Sequence, residues 1–331
     1  MWDPVHGGFF TVTDRRGAPL EQGRKHPHGH TYVLQAFAEL APMIGEDTAK
    51  QWARRSLDWL ENVAWDHQHG GYWGYYHRDN SRVRREDMPE GAALDWLGTP
   101  IGLKDLNVVV DMLGTLTNLV SKNWDERVKP RFDWHVQHHF DAMTGAFDLL
   151  PYYYGADWKP APDVPRSGQS VQLIRIFLQA TSGTERAERA LAASKSLYDS
   201  CKRFFKHEDG GICFSRSISI WAVRGVDLRV PERSWWVQCE AIRSGLILSL
   251  LSPDDEKRRQ DFARLWSFVE RRLIDHAHHG FYESAEDGDK ARRWTGRVNK
   301  THMWKDVSHE AQLLIDAVGW LRNGPDFQLT P

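Results

Sequence analysis

Few side chains in this sequence are placed to move a proton. His309 stands in a helical stretch near the C-terminus. Its imidazole titrates near working pH and could remove a weakly acidic proton beside a carbonyl, although a lone helical histidine can equally be structural. Glu240 follows Trp235 and Trp236 on a predicted helix. Desolvation there would raise its pKa toward general-acid use, and pairing with an arginine would instead make it a buried salt bridge. Asp111 interrupts the apolar run Val108 to Leu113. A carboxylate in such a helix is costly unless paired or functional, so it is read either as an acid–base group or as a hydrogen-bond partner of Asn107 or of backbone.

A second set of residues suits recognition. His26, His28 and His30 alternate at a helix entrance. Residues two apart on a helix point to different sides, so at most one or two converge; substrate hydrogen bonding by His26 or His30 is expected, and no metal site. Gln169 and Gln172 lie one turn apart on one face, as polar recognition groups. Trp304 would stack on a ring or fill the core, and Lys305 would be a solvated helix start. Tyr152 to Tyr154 and Trp158 would line a lid or pack locally.

The elements that must position these groups follow from patterning. A turn built from an acidic or histidine residue, Gly-Gly or a relative, and aromatics recurs at Asp3 to Phe10, Asp66 to Tyr76, His207 to Ser217 and Asp275 to Ser284, with a weaker copy at Asp141 to Leu150. A regular period marks a repeat architecture whose units bury apolar faces on their neighbours. Between the turns the apolar period becomes helical, through Tyr32, Leu34, Phe37, Ala38 and Leu40, then Trp52, Leu57, Leu60 and Val63. The same reading gives helices near 104 to 121, 123 to 140, 168 to 181, 184 to 205, 234 to 251, 256 to 275 and 305 to 322. Helical hairpins joined by short β turns predict an all-α, α/α toroid in one domain spanning 1–331. The stretches Asn80 to Gly102 and Tyr152 to Ser167 are long polar connections that cover a site or are inert surface.

Composition narrows the partners. With 43 Lys+Arg against 45 Asp+Glu, the net charge of -2 lacks the positive excess that a nucleic-acid surface needs. No apolar run reaches the roughly 20 residues that span a bilayer, and Met1 to Phe10 lacks the features of a signal peptide, so a cytoplasmic protein with no membrane partner is expected. Cys201, Cys213 and Cys239 form neither a disulfide framework nor a thiolate metal site. Nucleotide-binding glycine loops, HExxH and GxSxG are absent. Sixteen Trp, within 12 % aromatics, raise a carbohydrate reading, since aromatic faces bind the C–H surfaces of sugars.

Several motifs resemble the N-acylglucosamine 2-epimerase superfamily. Lys25-His26-Pro27-His28-Gly29-His30-Thr31-Tyr32 is similar to its KHLYGQAF helix, Trp235-Trp236-Val237-Gln238-Cys239-Glu240-Ala241 to its WWxQAEA helix, and Trp304 to His309 to its terminal WKxxYH motif. The resemblance implies an (α/α)6 barrel, a catalytic role for His309, and substrate contacts from Tyr32, Asn107, Trp235, Trp236 and Trp304. The family pattern NxHxHxLEA reads here as Asn107 to Thr115 with both histidines and the glutamate replaced, and GHxxE reads Gly168-Gln169-Ser170-Val171-Gln172. Glutamine cannot act as a base near neutral pH, so the family's two-histidine relay does not carry over. The first Gly-Gly turn comes early, at Gly7-Gly8, which implies that the first outer helix is missing and that a second copy of the chain could close the ring.

The resemblance implies a cofactor-independent sugar isomerase or epimerase working through an enediolate on a monosaccharide or disaccharide, with His309 as base and Glu240 or a histidine near 26 to 30 as its acid partner. The alternatives are a lyase, dehydratase or hydrolase using Asp111 and His309, and a non-catalytic sugar-binding protein.

Overall fold

The computed structural model describes the chain except residues 90–92, 96, 146–148, 163–165, 216–232, 294–299, 302–304, 306 and 325–331. Ten α-helices account for most of the described residues, and the sheet is minimal. The chain divides into two compact units.

The first unit comprises 1–139 and 151–163. Its helices are α1 (Pro27–Ile44), α2 (Glu46–Trp59, continued by a π-helical turn Leu60–Ala64), α3 (Leu106–Ser121) and most of α4 (Val128–Thr144). The break between α1 and α2 falls at Gly45, whose φ of 91° no side-chain-bearing residue adopts readily. α3 begins where Asp105 caps the amide of Val108. Ahead of it the strand β1 (Lys104–Asp105) pairs antiparallel with β2 (Tyr153–Tyr154). Tyr152 to Tyr154 are buried, and the Trp158 indole donates to the Gly70 carbonyl, so this aromatic run packs on a turn.

The second unit comprises 140–150 and 164–328. It holds α5 (Gly168–Thr181), α6 (Ala187–Phe205), α7 (Trp235–Leu250), α8 (Glu256–Arg272), α9 (Ala285–Arg293) and α10 (Ser308–Asn323). α7 is buried nearly all round and packs on α5, α8 and α10, as a helix without a polar face must. Asp255 caps α8 by accepting from the Arg258 amide. The short, highly charged α9 lacks an apolar period, so the pattern gave no sign of it.

The repeated turns share one construction. Asp3 and Gly8, Asp66 and Gly71, His207 and Gly211, and Asp275 and Gly280 close them by the same amide-to-carbonyl bond, and an antiparallel bridge follows at Trp2 and Phe9, Trp65 and Tyr72, Lys206 and Ile212, and Ile274 and Phe281. A cation then seals each turn's carboxylate: Lys25 on Asp3 at 3.1 Å, Lys104 on Asp66 at 2.6 Å, Arg233 on Asp209 and Lys300 on Asp275 at 2.6 Å. Lys25, Lys104 and Arg233 come from the segments that lead into α1, α3 and α7, so the turns anchor helix entrances. The weak fifth copy is not such a turn at its start, because α4 runs through Asp141 to Thr144.

Candidate active site

In the second unit, α7 and α10 bring together Glu240 and His309, which the WWxQxE and WKxxxH motifs separate in sequence. Glu240, one turn into α7, is fully buried and accepts a hydrogen bond from Nδ1 of His309 at 2.9 Å. A carboxylate only accepts, so this contact places the histidine's hydrogen on Nδ1 and leaves its Nε2 free of hydrogen bonds among the described residues. About a quarter of the His309 side chain is exposed, and its ring packs against Trp235 at 6.2 Å and Trp236 at 5.8 Å. An oriented, partly open imidazole on a buried carboxylate is equipped to accept a proton at Nε2 and to have the resulting charge balanced.

Of the two readings of Glu240, the arginine-paired salt bridge is the one the structure has, and its pKa is not raised. Burial pushes it upward, but Arg243 at 2.7 Å, Arg175 at 3.6 Å and the His309 hydrogen bond outweigh that and hold the carboxyl well below the usual range. A group kept ionised in this way cannot serve as a general acid; it orients His309. Arg243 continues to Asp316 on α10, tying the two helices. Burial lowers the Arg175 pKa to about 10, a sign of how dry this network is.

Trp236 is half-buried over α5. Gly168 makes room for it: a Cβ there would overlap Cη2 of the indole. Gln169 and Gln172 are both buried on α5, and Trp235 is buried. Lys305 is also buried, paired with Glu310 at 3.1 Å, and is not the solvated helix start expected. Trp304 lies outside the described residues.

The first unit holds the remaining candidates. Asp111 accepts from Nε2 of His28 at 2.8 Å, with the Asn107 amide 3.2 Å from the same nitrogen and the exposed Tyr32 hydroxyl 3.4 Å from the carboxylate. His26 is buried between two contacts, Nε2 on Asp95 at 3.1 Å and Nδ1 accepting from the His28 amide. His30 is placed in the core: stacked on Trp59 at 4.0 Å, it accepts from the Phe9 amide at Nε2 and contacts the Ser56 hydroxyl at Nδ1. Burial, with Lys25 and His26 nearby, lowers its pKa to about 3. With both nitrogens engaged and no exposure, it is a structural histidine where substrate binding was expected. Among the described residues no three His, Cys, Asp or Glu side chains are grouped to hold a metal ion.

The sequence reading included His28 in the cluster at the helix entrance but singled out His26 and His30. The signal was present, a histidine where the similar family helix has tyrosine, but its meaning needed Asp111, 83 positions away.

The fold matches solved sugar epimerases and isomerases. Cellobiose 2-epimerase from Bacillus thermoamylovorans B4167 superposes with a TM-score of 0.76 at 19 % identity, covering 96 % of this chain and 77 % of that one. Cellobiose 2-epimerase from Spirochaeta thermophila DSM 6192 gives 0.76 at 21 %, covering 95 % and 75 %. A D-mannose isomerase from Marinomonas mediterranea (strain ATCC 700492 / JCM 21426 / NBRC 103028 / MMB-1) is 21 % identical over 296 residues, 86 % of this chain and 69 % of the relative. These likenesses define an all-α chain of the (α/α)6-barrel class. The family model for N-acylglucosamine 2-epimerase (GlcNAc 2-epimerase) matches residues 113–302, and the chain belongs to that family. It is an enzyme of the sugar epimerase and isomerase type, and the lyase, hydrolase and non-catalytic readings are not favoured.

Proposed function

We propose that the enzyme interconverts open-chain sugars by moving the proton at the carbon next to the carbonyl, with His309 as base and Glu240 as the group that orients it. The observation that carries this reading is the Nδ1 contact of His309 with a buried, arginine-held carboxylate, which leaves Nε2 available beside two tryptophans. Nε2 takes the C2 proton, the C–H electron pair forms the C1–C2 double bond, and the carbonyl oxygen becomes the enediolate oxygen. For the ketose, the O2 proton passes to O1, the O2 electron pair forms the C2 carbonyl and the proton returns to C1; for the epimer, the O1 carbonyl re-forms and a proton is delivered to the opposite face of C2.

The substrate is a monosaccharide or disaccharide bound without a cofactor. Trp235 and Trp236 offer apolar ring faces, and Gln169 and Gln172 offer amides that both donate and accept. A cytoplasmic location and a homodimer belong to the same proposal. Leu314, Ile315, Val318 and Leu321 form an exposed apolar stripe on α10, and sedimentation of the purified chain tests whether a second copy covers it.

The direct test is proton exchange. Aldoses and ketoses are incubated with the enzyme in deuterated water and C2–H is followed by NMR. Exchange that disappears in His309→Gln supports the mechanism. A folded wild-type enzyme that exchanges no sugar in the panel overturns it.

A further inference from the structure

Arg175 stands in the middle of the apolar stretch Leu173 to Leu178 of α5, where a charge is costly unless it is paired. Its pairing is incomplete. Nη1 donates to Gln179 at 2.7 Å, and Nε is buried without a hydrogen bond, 3.6 Å from Oε2 of Glu240. Nη2 has no hydrogen-bond partner among the described residues and is not sealed from solvent; 12 % of the side chain is exposed. The group keeps its charge near neutral pH, since burial lowers its pKa only to about 10.

The hydrogen bonds of Glu240 do not need this second cation. Oε1 takes both Arg243 at 2.7 Å and Nδ1 of His309 at 2.9 Å, whereas Oε2 has no hydrogen bond. Arg243 is fully used, because its Nε and Nη2 donate to Asp316. One carboxylate thus holds the base with one oxygen and faces an under-used guanidinium with the other. All five residues lie in the second unit. Their charges point the same way. Arg175 and Arg243 offset Glu240 and Asp316, so the network is neutral while His309 is neutral; without Arg175 it would carry a net negative charge beside the base. An enediolate would then form against a like charge, in a dry site where such repulsion is poorly screened.

We infer that Arg175 is a catalytic residue of the sugar reaction, holding through Nη2 the negative charge that develops on the substrate oxygen. This rests on the isomerase or epimerase reading above. As Nε2 of His309 takes the C2 proton, the C–H electron pair forms the C1–C2 double bond and the carbonyl π pair moves onto O1. O1 accepts a hydrogen bond from Nη2, and Arg175 keeps all its protons. His309 gains a positive charge in the same step, which Glu240 balances through Oε1, leaving Arg175 to balance O1. A guanidinium fixed before the reaction costs no reorganisation, and a neutral amide such as Gln172, one turn earlier on α5, holds an anion less strongly. The charged groups facing Arg175 are Glu240 and Arg243 from α7 and Asp316 from α10.

The test uses the full chain and a sugar whose C2–H the wild-type enzyme exchanges. Arg175→Met is expected to lower kcat about 100-fold with KM changed less than about threefold, and added guanidinium at millimolar concentration to restore part of the rate. Arg175→Lys keeps a cation without the planar fork. It should retain more activity than Arg175→Met and lose it at lower pH than the wild type does, because a desolvated ammonium gives up its proton more readily than a guanidinium. If Arg175→Met does not fold, Arg175→Gln replaces it. A charge-free variant with kcat within about twofold of wild type overturns the inference, as does a change confined to KM. Loss that neither guanidinium nor lysine restores overturns it too, since a role in packing alone gives that result. Absence of any wild-type exchange is a separate result that overturns the functional reading, and this inference with it.

Discussion

His309 on α10 and Glu240 on α7 meet at 2.9 Å although 69 positions separate them, and the Glu240 carboxylate is held ionised by two arginines. Glu240→Gln removes the charge that orders the imidazole and leaves Arg243 and Arg175 without their buried counter-ion. Loss of one partner of a buried pair costs about 3–5 kcal/mol, so the variant should melt lower and lose activity together. His309→Gln should lose activity by at least about 100-fold while melting near the wild type, since His309 is at the edge of the network. Calorimetry beside turnover separates the two, and equal melting of all three proteins would refute the buried-pair account.

Gly168 and Trp236 make a steric prediction. Gly168→Ala puts a methyl into the space the indole occupies, and the ring must move away from α5. Trp236 packs on His309, so the displaced ring should alter activity more than stability. Tryptophan fluorescence and KM report it; unchanged values of both would show that the indole is not needed where it is.

Lys104 tests the turn device. It is fully buried and is held by Asp66 together with the carbonyls of Gly70 and Ala156. Lys104→Met leaves Asp66 with a buried, uncompensated charge and should cost about 3–5 kcal/mol in unfolding free energy. The double variant Lys104→Met with Asp66→Asn should recover part of the loss, and a denaturant cycle measures the coupling.

Buried histidines set an acid limit. Burial lowers His30 and His138 to about 3 and His139 to about 4, and holds His135 well below its usual value. These groups have folded-state values below the unfolded value near 6.5, so the unfolded chain binds protons that the folded chain refuses. Stability is therefore full above pH 6.5 and falls as pH drops toward about 4, by about 1.4 kcal/mol per pH unit for each histidine. Thermal melts at pH 7.5, 6.0 and 5.0 should show the midpoint falling with increasing steepness. A flat profile across that range would contradict the burial of these rings.

Much of the architecture was legible locally. The helical period of 168 to 181 coincides with α5, and the Gly-Gly turns announced the hairpins, because a positive φ at Gly7, Gly70 or Gly280 is a property of a few adjacent residues. The cations that seal those turns were less visible: nothing in the neighbourhood of Lys104 indicates Asp66, and Lys305 looked like the solvated start of a helix until Glu310 was placed beside it.

The sequence alone determined the alternation of helices and turns, the near-neutral surface and the family motifs, all of which depend on short-range periodicity and composition. Only the tertiary structure decided the ionic states. Glu240 stood open between a desolvated acid and an arginine-paired salt bridge and is the latter, because whether burial or pairing wins depends on where Arg243 and Arg175 come to rest. His30 went to the core and His28 to Asp111 for the same reason: two residues along a helix turns a side chain to a different neighbour, and that neighbour comes from a distant segment.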